Sequence, residues 1–298
     1  MIRRALAATS VLFVAGGCRS SVSTHVVPVP GRPSAVAVLG DLVWVTDDQR
    51  HAVHAIDSSG DRVTEPFEVE RNPVAVAAGN GAVWVAHASG TVVRVDPRSG
   101  RQGKPLKAGR SLTGIATAGN RVWVTDIKTD SVVEIDARTS KVRRVFRIAD
   151  GAVRLVAAGD VLWVTGRERT VTRVDPASGD VGPTVEVGLG PIGLAYDGRR
   201  VWVANSDDAT VSRFDARTGK RAGDPVRVGR GPIGVAVAAG SVWVANQDDL
   251  TLTRIDPDEG RVVGDPIDVG TSARGITAGD DTVWVVGTNP SALVRVEP

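Results

Sequence analysis

Short apolar runs separated by turn residues recur along the chain from about residue 25 to its end. The runs are four to seven residues long, rich in β-branched side chains, and bounded by Gly, Pro, Asp or Asn. One unit comprises the runs 231–237, 241–246, 251–256 and 264–270. This pattern predicts β-strands, four to a unit, because no run is long enough for a helix.

Seven tryptophans mark successive units. Each is flanked by Val on both sides or by Leu and Val, and successive tryptophans are 39 to 41 residues apart. The seven are Trp44, Trp84, Trp123, Trp163, Trp202, Trp243 and Trp284. Four-stranded units of about 40 residues predict an all-β, seven-bladed β-propeller with four antiparallel strands per blade. The apolar flanks place every Trp in the core between blades.

The last unit lacks a fourth strand, and the N-terminal region offers one. The chain ends at Pro298 after three predicted strands, whereas residues 25–33 match the fourth strand and following turn of other units. We therefore expect residues 25–29 to complete blade seven and so remove an open sheet edge. Turns such as 96–100, 175–179 and 256–260 join third and fourth strands, with Asp accepting amide hydrogen bonds and Gly adopting positive φ.

The first residues have the pattern of an export signal. Arg3 and Arg4 precede an apolar run over 5–15, which is too short to span a bilayer. Small residues then lead to Cys18, the only cysteine, in a segment that resembles the lipobox of bacterial lipoproteins, although Ala15 stands where that motif usually has Leu.

We predict a signal peptide over 1–17, an acylated Cys18, a polar tether over 18–24 and the propeller over 25–298. The protein would then be anchored on the outer, extracytoplasmic face of the bacterial cytoplasmic membrane. Two acyl chains with a third linked through an amide would hold it there, since each buried methylene contributes about 0.8 kcal/mol. The alternative is an ordinary cleaved signal with an unmodified Cys.

The repeats resemble the YVTN family of bacterial β-propellers. The resemblance rests on a Pro-x-Gly-Val-Ala start, a Val-Trp-Val-Ala-Asn second strand, a Thr-Val-x-Arg-Ile-Asp third strand and an x-Val-Gly end, and it covers residues 25–298. It implies an architecture rather than an activity, because the repeated residues build the blade. The repeats are also similar to those of the streptogramin lyases, whose essential His and Glu lie in later blades. No His follows His87 here, so that catalytic set cannot be carried over.

The charge composition excludes one class of partner. The chain has 36 Lys and Arg against 34 Asp and Glu, and loss of Arg3 and Arg4 with the signal leaves 34 of each. A nucleic-acid-binding protein needs a basic surface that displaces counterions, and this chain has no such excess. We expect a monomer that contacts the membrane only through its lipid, with a protein, a cell-envelope component or a small anion as partner.

Polar residues three positions after the tryptophans are candidate site residues. Blades one to three carry Asp47, His87 and Asp126 there, side by side around the ring. A His between carboxylates could hold a divalent metal or act as an acid–base group. The alternative is that these side chains cap tight turns through hydrogen bonds. The acidic pairs 47–48, 207–208 and 248–249 are expected to be solvated turn residues, and no cofactor other than a divalent metal is expected.

Arginines gather in and just after the loops that lead into the first strands, which line the central channel. They are Arg32, Arg71, Arg110, Arg154, Arg230 and Arg274, of which the fourth and sixth lie slightly further into their strands. Guanidinium groups bind carboxylates and phosphates in a bidentate manner. These side chains are therefore candidates for a ring that binds an anion, and ordinary surface charge is the alternative.

Two functions remain open from the sequence. The first is a non-enzymatic binding or interaction scaffold that uses one loop face of a rigid ring. The second is a metal-dependent lyase or hydrolase of streptogramin-lyase type, with its site near Asp47, His87 and Asp126. No Gly-x-Ser-x-Gly elbow, phosphate-binding loop or dinucleotide fingerprint is present, which disfavours other enzyme classes.

Overall fold

The structure is a computed structural model, and it describes residues 22–59, 62–64, 66–279 and 281–298. These residues form 29 β-strands in seven antiparallel sheets, and no helix occurs among them. The predicted seven-bladed propeller is thereby confirmed. The predicted signal peptide, Cys18 and most of the tether lie outside the described residues.

The strands are numbered in chain order. The N-terminal strand is β1 (Ser23–Pro28), which belongs to blade 7. Blade 1 has β2 (Pro33–Leu39), β3 (Leu42–Asp47), β4 (Ala52–Asp57) and β5 (Phe67–Glu68). Blade 2 has β6 (Pro73–Gly79), β7 (Ala82–His87), β8 (Thr91–Val95) and β9 (Leu106–Lys107). Blade 3 has β10 (Leu112–Ala118), β11 (Arg121–Asp126), β12 (Ser131–Asp136) and β13 (Lys141–Arg147).

The remaining blades follow the same plan. Blade 4 has β14 (Leu155–Ala158), β15 (Val161–Thr165), β16 (Thr170–Val174) and β17 (Val181–Glu186). Blade 5 has β18 (Pro191–Tyr196), β19 (Arg200–Asn205), β20 (Thr210–Asp215) and β21 (Val226–Arg227). Blade 6 has β22 (Pro232–Ala238), β23 (Ser241–Asn246), β24 (Thr251–Asp256), and an outer position divided between β25 (Arg261–Val262) and β26 (Ile267–Asp268). Blade 7 has β27 (Ser272–Ala278), β28 (Val283–Thr288), β29 (Ala292–Glu297) and β1.

Blade 7 is closed by the N-terminal strand, as predicted. Strand β1 pairs with β29 from Ser23 opposite Glu297 to Pro28 opposite Ala292. The strand begins two residues earlier than the predicted start at His25, so the end of the expected tether is already part of the sheet. Val27 and Val29 are buried in the same apolar cluster as Trp284.

The tryptophans pack between blades, which confirms their predicted place in the core. All seven are between 0 and 4% exposed. Each lies in an apolar cluster with second-strand residues of the next blade, so that Trp243 of blade 6 packs with Val283 and Val285 of blade 7. Trp284 of blade 7 packs with Val43 and Val45 of blade 1, which completes the ring.

The first strands line the central channel, and most carry a bulge near their start. In six blades the pairing with the second strand skips one or two residues at this point. Residues left unpaired by these bulges are Ser34, Val74, Thr113, Ile192, Gly193, Ile233 and Arg274. A bulge redirects the side chain that it leaves unpaired, and all seven of these residues line the channel.

Candidate functional site

One end of the ring is formed by two sets of loops, those that precede the first strands and those between second and third strands. We call this end the loop face. Contacts between the two sets hold it together: the amide of Arg32 donates to Oδ1 of Asp47 at 3.1 Å, and the amide of Arg230 donates to Asp249 at 2.7 Å. The amide of Arg110 donates to Asp126 at 2.7 Å in the same way.

The structure does not bring Asp47, His87 and Asp126 together as a metal-binding group. Among the described residues, no three His, Cys, Asp or Glu side chains lie in a group that could hold a metal ion. Each of the three side chains is buried and is engaged inside its own blade. The turn-capping alternative describes the two aspartates well, since Oδ1 of Asp47 also accepts from the amides of Gln49 and Arg50 at 3.0 Å.

Asp126 and His87 have shifted pKa values for different reasons. Burial acts to raise the pKa of Asp126, but hydrogen bonds from the amides of Arg110, Lys128 and Ser111 and from Thr129 outweigh it and lower that pKa. Burial lowers the pKa of His87, against smaller opposing effects. His87 is therefore neutral at pH 7, with Nδ1 3.4 Å from the carbonyl oxygen of Thr91.

The structure shows a buried polar pair in blade 1 that the sequence did not predict. His54 on β4 lies opposite Val45, and its Nε2 is 3.7 Å from Oδ2 of Asp47, with both side chains at most 1% exposed. The same places in blade 6 hold Asn246 and Thr253, joined by a hydrogen bond of 2.9 Å. Burial lowers the pKa of His54, and the charge of Asp47 opposes that shift. Comparison of paired strand positions across the repeats would have revealed this pair.

The second members of the acidic pairs are bound to the loops beside them. Asp48 accepts from Nε of Arg32 at 2.5 Å, Asp208 from the amide of Leu189 at 2.7 Å, and Asp249 from Nε of Arg230 at 2.7 Å. These residues fix the loops that lead into the first strands.

The six candidate arginines separate into two groups. Arg32, Arg71, Arg110 and Arg230 are exposed and do not lie in the wall of the channel, whereas Arg274, also exposed, and half-buried Arg154 do. Arg32 and Arg230 form the ion pairs with Asp48 and Asp249 just described, which act to raise the pKa values of both guanidinium groups. Only Arg154 and Arg274 line the channel. Of the six arginines that were predicted to surround the channel, two line it in the described structure.

The channel holds a cavity of about 570 Å³ that is lined by the first strands of all seven blades. Asp48 and Gln247, from loops between second and third strands, also line it, so the cavity opens at the loop face. We call this opening the channel mouth. A volume of this size is typical of sites for small ligands.

Arg154 and Arg274 have no acidic partner among the described residues. No ion pair and no side-chain hydrogen bond joins either guanidinium to a carboxylate there. Burial lowers the pKa of Arg154, and the nearby positive charge of Arg274 lowers it further. An arginine stays charged at neutral pH even so, and the mouth therefore concentrates two positive charges near one another.

A second cavity gives a useful contrast. It has a volume of about 510 Å³, lies at the outside of blades 4 and 5, and also contains arginines. There, however, Nε of Arg169 is 3.5 Å from Glu186, and Nη2 of Arg221 donates to the carbonyl of Glu186 at 2.8 Å. Arg169 and Arg221 of the second cavity thus have partners within the protein, whereas Arg154 and Arg274 of the channel have no carboxylate partner among the described residues.

No known family profile and no curated protein sequence matches this chain. Solved structures do share its fold. A catalytically inactive virginiamycin B lyase from Staphylococcus aureus with quinupristin has a TM-score of 0.81 at 15% identity, over 93% of this chain and all of that one. A streptogramin B lyase has a TM-score of 0.80 at 16% identity, over 93% of this chain and 97% of that one.

The same fold occurs in a protein of different chemistry. Hydrazine synthase from Kuenenia stuttgartiensis has a TM-score of 0.80 at 16% identity, over 96% of this chain and 99% of that one. The chain is thus similar in structure to seven-bladed propellers of the virginiamycin B lyase type, and the similarity concerns the fold. Among the described residues no helix is long and apolar enough to cross a membrane.

Proposed function

We propose that the protein is a non-enzymatic binding propeller that takes a small anion at the channel mouth. The observation that supports this most directly is the pair Arg154 and Arg274, which line an open cavity without a carboxylate partner among the described residues. Two guanidiniums that have no carboxylate partner in the described part of the chain favour a carboxylate or phosphate ligand, because such hydrogen bonds are charge-assisted and often bidentate.

The repeat sequence strengthens this proposal. At the position of Arg154 the other blades carry only Gly or Ala, and at that of Arg274 they carry Ser, Thr or an aliphatic residue. The two arginines are therefore not needed to build a blade. Function in a repeated scaffold lies in residues that depart from the repeat.

The anion site is tested by thermal unfolding of the full chain in detergent, followed by tryptophan fluorescence. Phosphate and acetate are compared with potassium chloride at equal ionic strength. A ligand at 100 times its Kd adds about 2.7 kcal/mol of stability, and we expect this increase to vanish in the variant Arg154→Gly/Arg274→Ile. Arg217→Gln, in an exposed turn after β20, is the matched control for loss of a positive charge. An anion effect that survives in the double variant contradicts the proposal.

We also propose that the ring is displayed outside the cytoplasmic membrane and held there by acylated Cys18. Support comes from the apolar run over 5–15 and the small residues before that Cys. In a bacterial host, Cys18→Ser should move the protein from the membrane fraction to the soluble fraction. Retention in the membrane after this change would rule out the lipid anchor.

A second candidate function is a lyase of the streptogramin type, favoured by the structural similarity to virginiamycin B lyase. Such an activity would have to use residues other than the His and Glu set implied by that resemblance. Incubation with quinupristin and Mg²⁺, followed by mass spectrometry, tests it directly. Turnover that is abolished by His87→Ala in a folded variant would replace the binding proposal with the enzymatic one.

A further inference from the structure

The wall of the channel mouth is not uniform around the ring. At the level of the bulges, blades 1 to 7 present Ser34, Val74, Thr113, Val153, Ile192, Ile233 and Arg274. One position further along the strands, they present Ala35, Ala75, Gly114, Arg154, Gly193, Gly234 and Gly275. The positive charges thus come from blades 4 and 7 alone.

Between these two blades lies an apolar arc. Ile192 of blade 5 and Ile233 of blade 6 line the cavity at the same level as Arg274 and are at least partly buried. Leu194 and Ile276 continue the arc deeper into the channel, where they are also partly buried. Two cations therefore flank a strip of aliphatic surface inside one cavity.

The opposite arc, formed by blades 1 to 3, offers fewer free polar groups to a ligand. The hydroxyl of Thr113 on blade 3 donates to the carbonyl of Val153 at 2.6 Å, and that of Ser34 on blade 1 lies 2.9 Å from the Thr46 hydroxyl. Both hydroxyls are thus engaged within the protein. Blade 2 presents only Val74 at this level.

The wall also limits which apolar groups fit. No aromatic side chain lines the cavity in the described part of the chain, so it has no surface for stacking a base or a sugar ring. The single lining carboxylate there is Asp48, which is bound to Arg32. The first strands of blades 5 and 6 approach so closely that a Cβ added to Gly193 would lie 2.6 Å from Cα of Gly234. A ligand therefore has room in the channel but not between these blades.

From this arrangement we infer that the anion is amphipathic: a carboxylate or phosphate head between Arg154 and Arg274, with an aliphatic body against Ile192 and Ile233. This inference rests on the proposed function and adds the chemical class of the ligand. The head satisfies the two guanidiniums, and the body removes aliphatic surface from water. Inorganic anions fit only the first half of the site.

A homologous series of straight-chain carboxylates tests the inference on the full chain. The affinities of acetate, butyrate and hexanoate are measured at equal ionic strength by calorimetry. Each buried methylene contributes about 0.8 kcal/mol, so the affinity should rise about fourfold per methylene along the series. The uncharged analogue 1-hexanol should bind far more weakly than hexanoate, because it lacks the charged head.

Two variants test the two parts of the site, which are the apolar arc and the pair of arginines. The residues introduced are ones that other blades carry at the same positions. Ile192→Ser/Ile233→Thr places at both positions the residue types of blades 1 and 3, and it should keep acetate binding while flattening the increase with chain length. Arg154→Gly/Arg274→Ile should abolish binding of every carboxylate. Both variants use side chains that the fold already accommodates at these positions in other blades, so folding is expected to be retained, and unfolding temperature checks this.

The outcomes separate this inference from the proposed function. If neither phosphate nor acetate nor hexanoate binds, the proposed function itself is wrong. If anions bind through the two arginines with an affinity independent of chain length, the proposed function stands and the amphipathic ligand is refuted. An increase with chain length that the Ile192→Ser/Ile233→Thr variant leaves unchanged also refutes it, because the aliphatic body would then lie elsewhere.

Discussion

The second strands and the first strands of this ring differ in how constant their residues are from blade to blade. The second strands carry Trp at the same register in every blade, always buried and always packed against the next blade. The first strands line the channel, and at two adjacent levels of their wall the residue type changes to Arg in single blades. The repeat itself therefore separates the residues that build the ring from those that are not needed to build it.

The largest loss of stability is expected where the ring is closed by strand β1. Deletion of residues 25–30 removes buried Val27 and Val29, and it uncovers the edge of β29. We expect the unfolding temperature to fall by more than any single substitution achieves, because an apolar cluster and a row of hydrogen bonds are lost together. Calorimetry measures the effect, and Val26→Thr on the exposed side of β1 is the control. A melt unchanged by the deletion would contradict this account of closure.

The next effect compares a second-strand residue with a first-strand residue directly. Trp243→Ala should reduce the free energy of unfolding by about 3–5 kcal/mol, since Trp243 is fully buried and its loss leaves a cavity. Denaturant titration of this variant beside Arg154→Gly measures the difference. Comparable losses in the two variants would show that the channel wall, too, is part of what builds the ring.

The next prediction concerns the dependence of stability on pH, through one buried His on a second strand and one on a third strand. Burial lowers the pKa values of His54 and His87 below the ordinary value of 6.5. Just below pH 6.5 the unfolded chain therefore binds more protons than the folded chain does. The contribution to stability is full above this pH and declines as the pH falls below it. Free energies of unfolding measured at about pH 7.5 and about pH 5.5, on either side of the ordinary His pKa, give the decline.

The double substitution Asp47→Asn/His54→Thr recreates in blade 1 the pair found in blade 6. It should reduce the pH dependence to the part that comes from His87. Equal pH dependence in the variant and the unaltered protein would mean that His54 does not titrate differently on folding.

The smallest expected effect lies in the channel wall. Without ligand, Arg154→Gly and Arg274→Ile should each change the free energy of unfolding by no more than about 0.5 kcal/mol, as substitutions outside the packed core usually do. A slight gain is the expected direction for Arg274→Ile, because it removes one of two neighbouring like charges. Denaturant titration checks both, and a loss of several kcal/mol would show that the arginines hold the blades together.

The sequence predicts the ring well because the repeat reinforces the same signal seven times. Trp register, strand order and the closing strand all follow from periodicity. The fourth strands are less predictable: they span only two residues in blades 1, 2 and 5 but seven in blade 3. An outer strand has one neighbour instead of two, so its residues are weakly constrained by packing.

The candidate site was predictable only in part. Six arginines look alike when they are read as a group near the first strands, yet a difference of a few residues in register decides their environment. Arg32 lies just before its strand and pairs with Asp48, whereas Arg274 lies at a bulge and lines the channel. The buried pair of His54 and Asp47 depends on contacts between strands, which are not visible when each strand is read by itself.

The circular arrangement of the Trp clusters has a consequence for selectivity. Because Trp284 joins blade 7 to blade 1, the channel cannot widen unless several interblade contacts loosen at once. If the proposed anion binds there, the mouth would select it by cross-section as a fixed aperture, without a moving gate. Entry should follow simple bimolecular kinetics, with a rate that rises linearly with ligand concentration and no slow opening step.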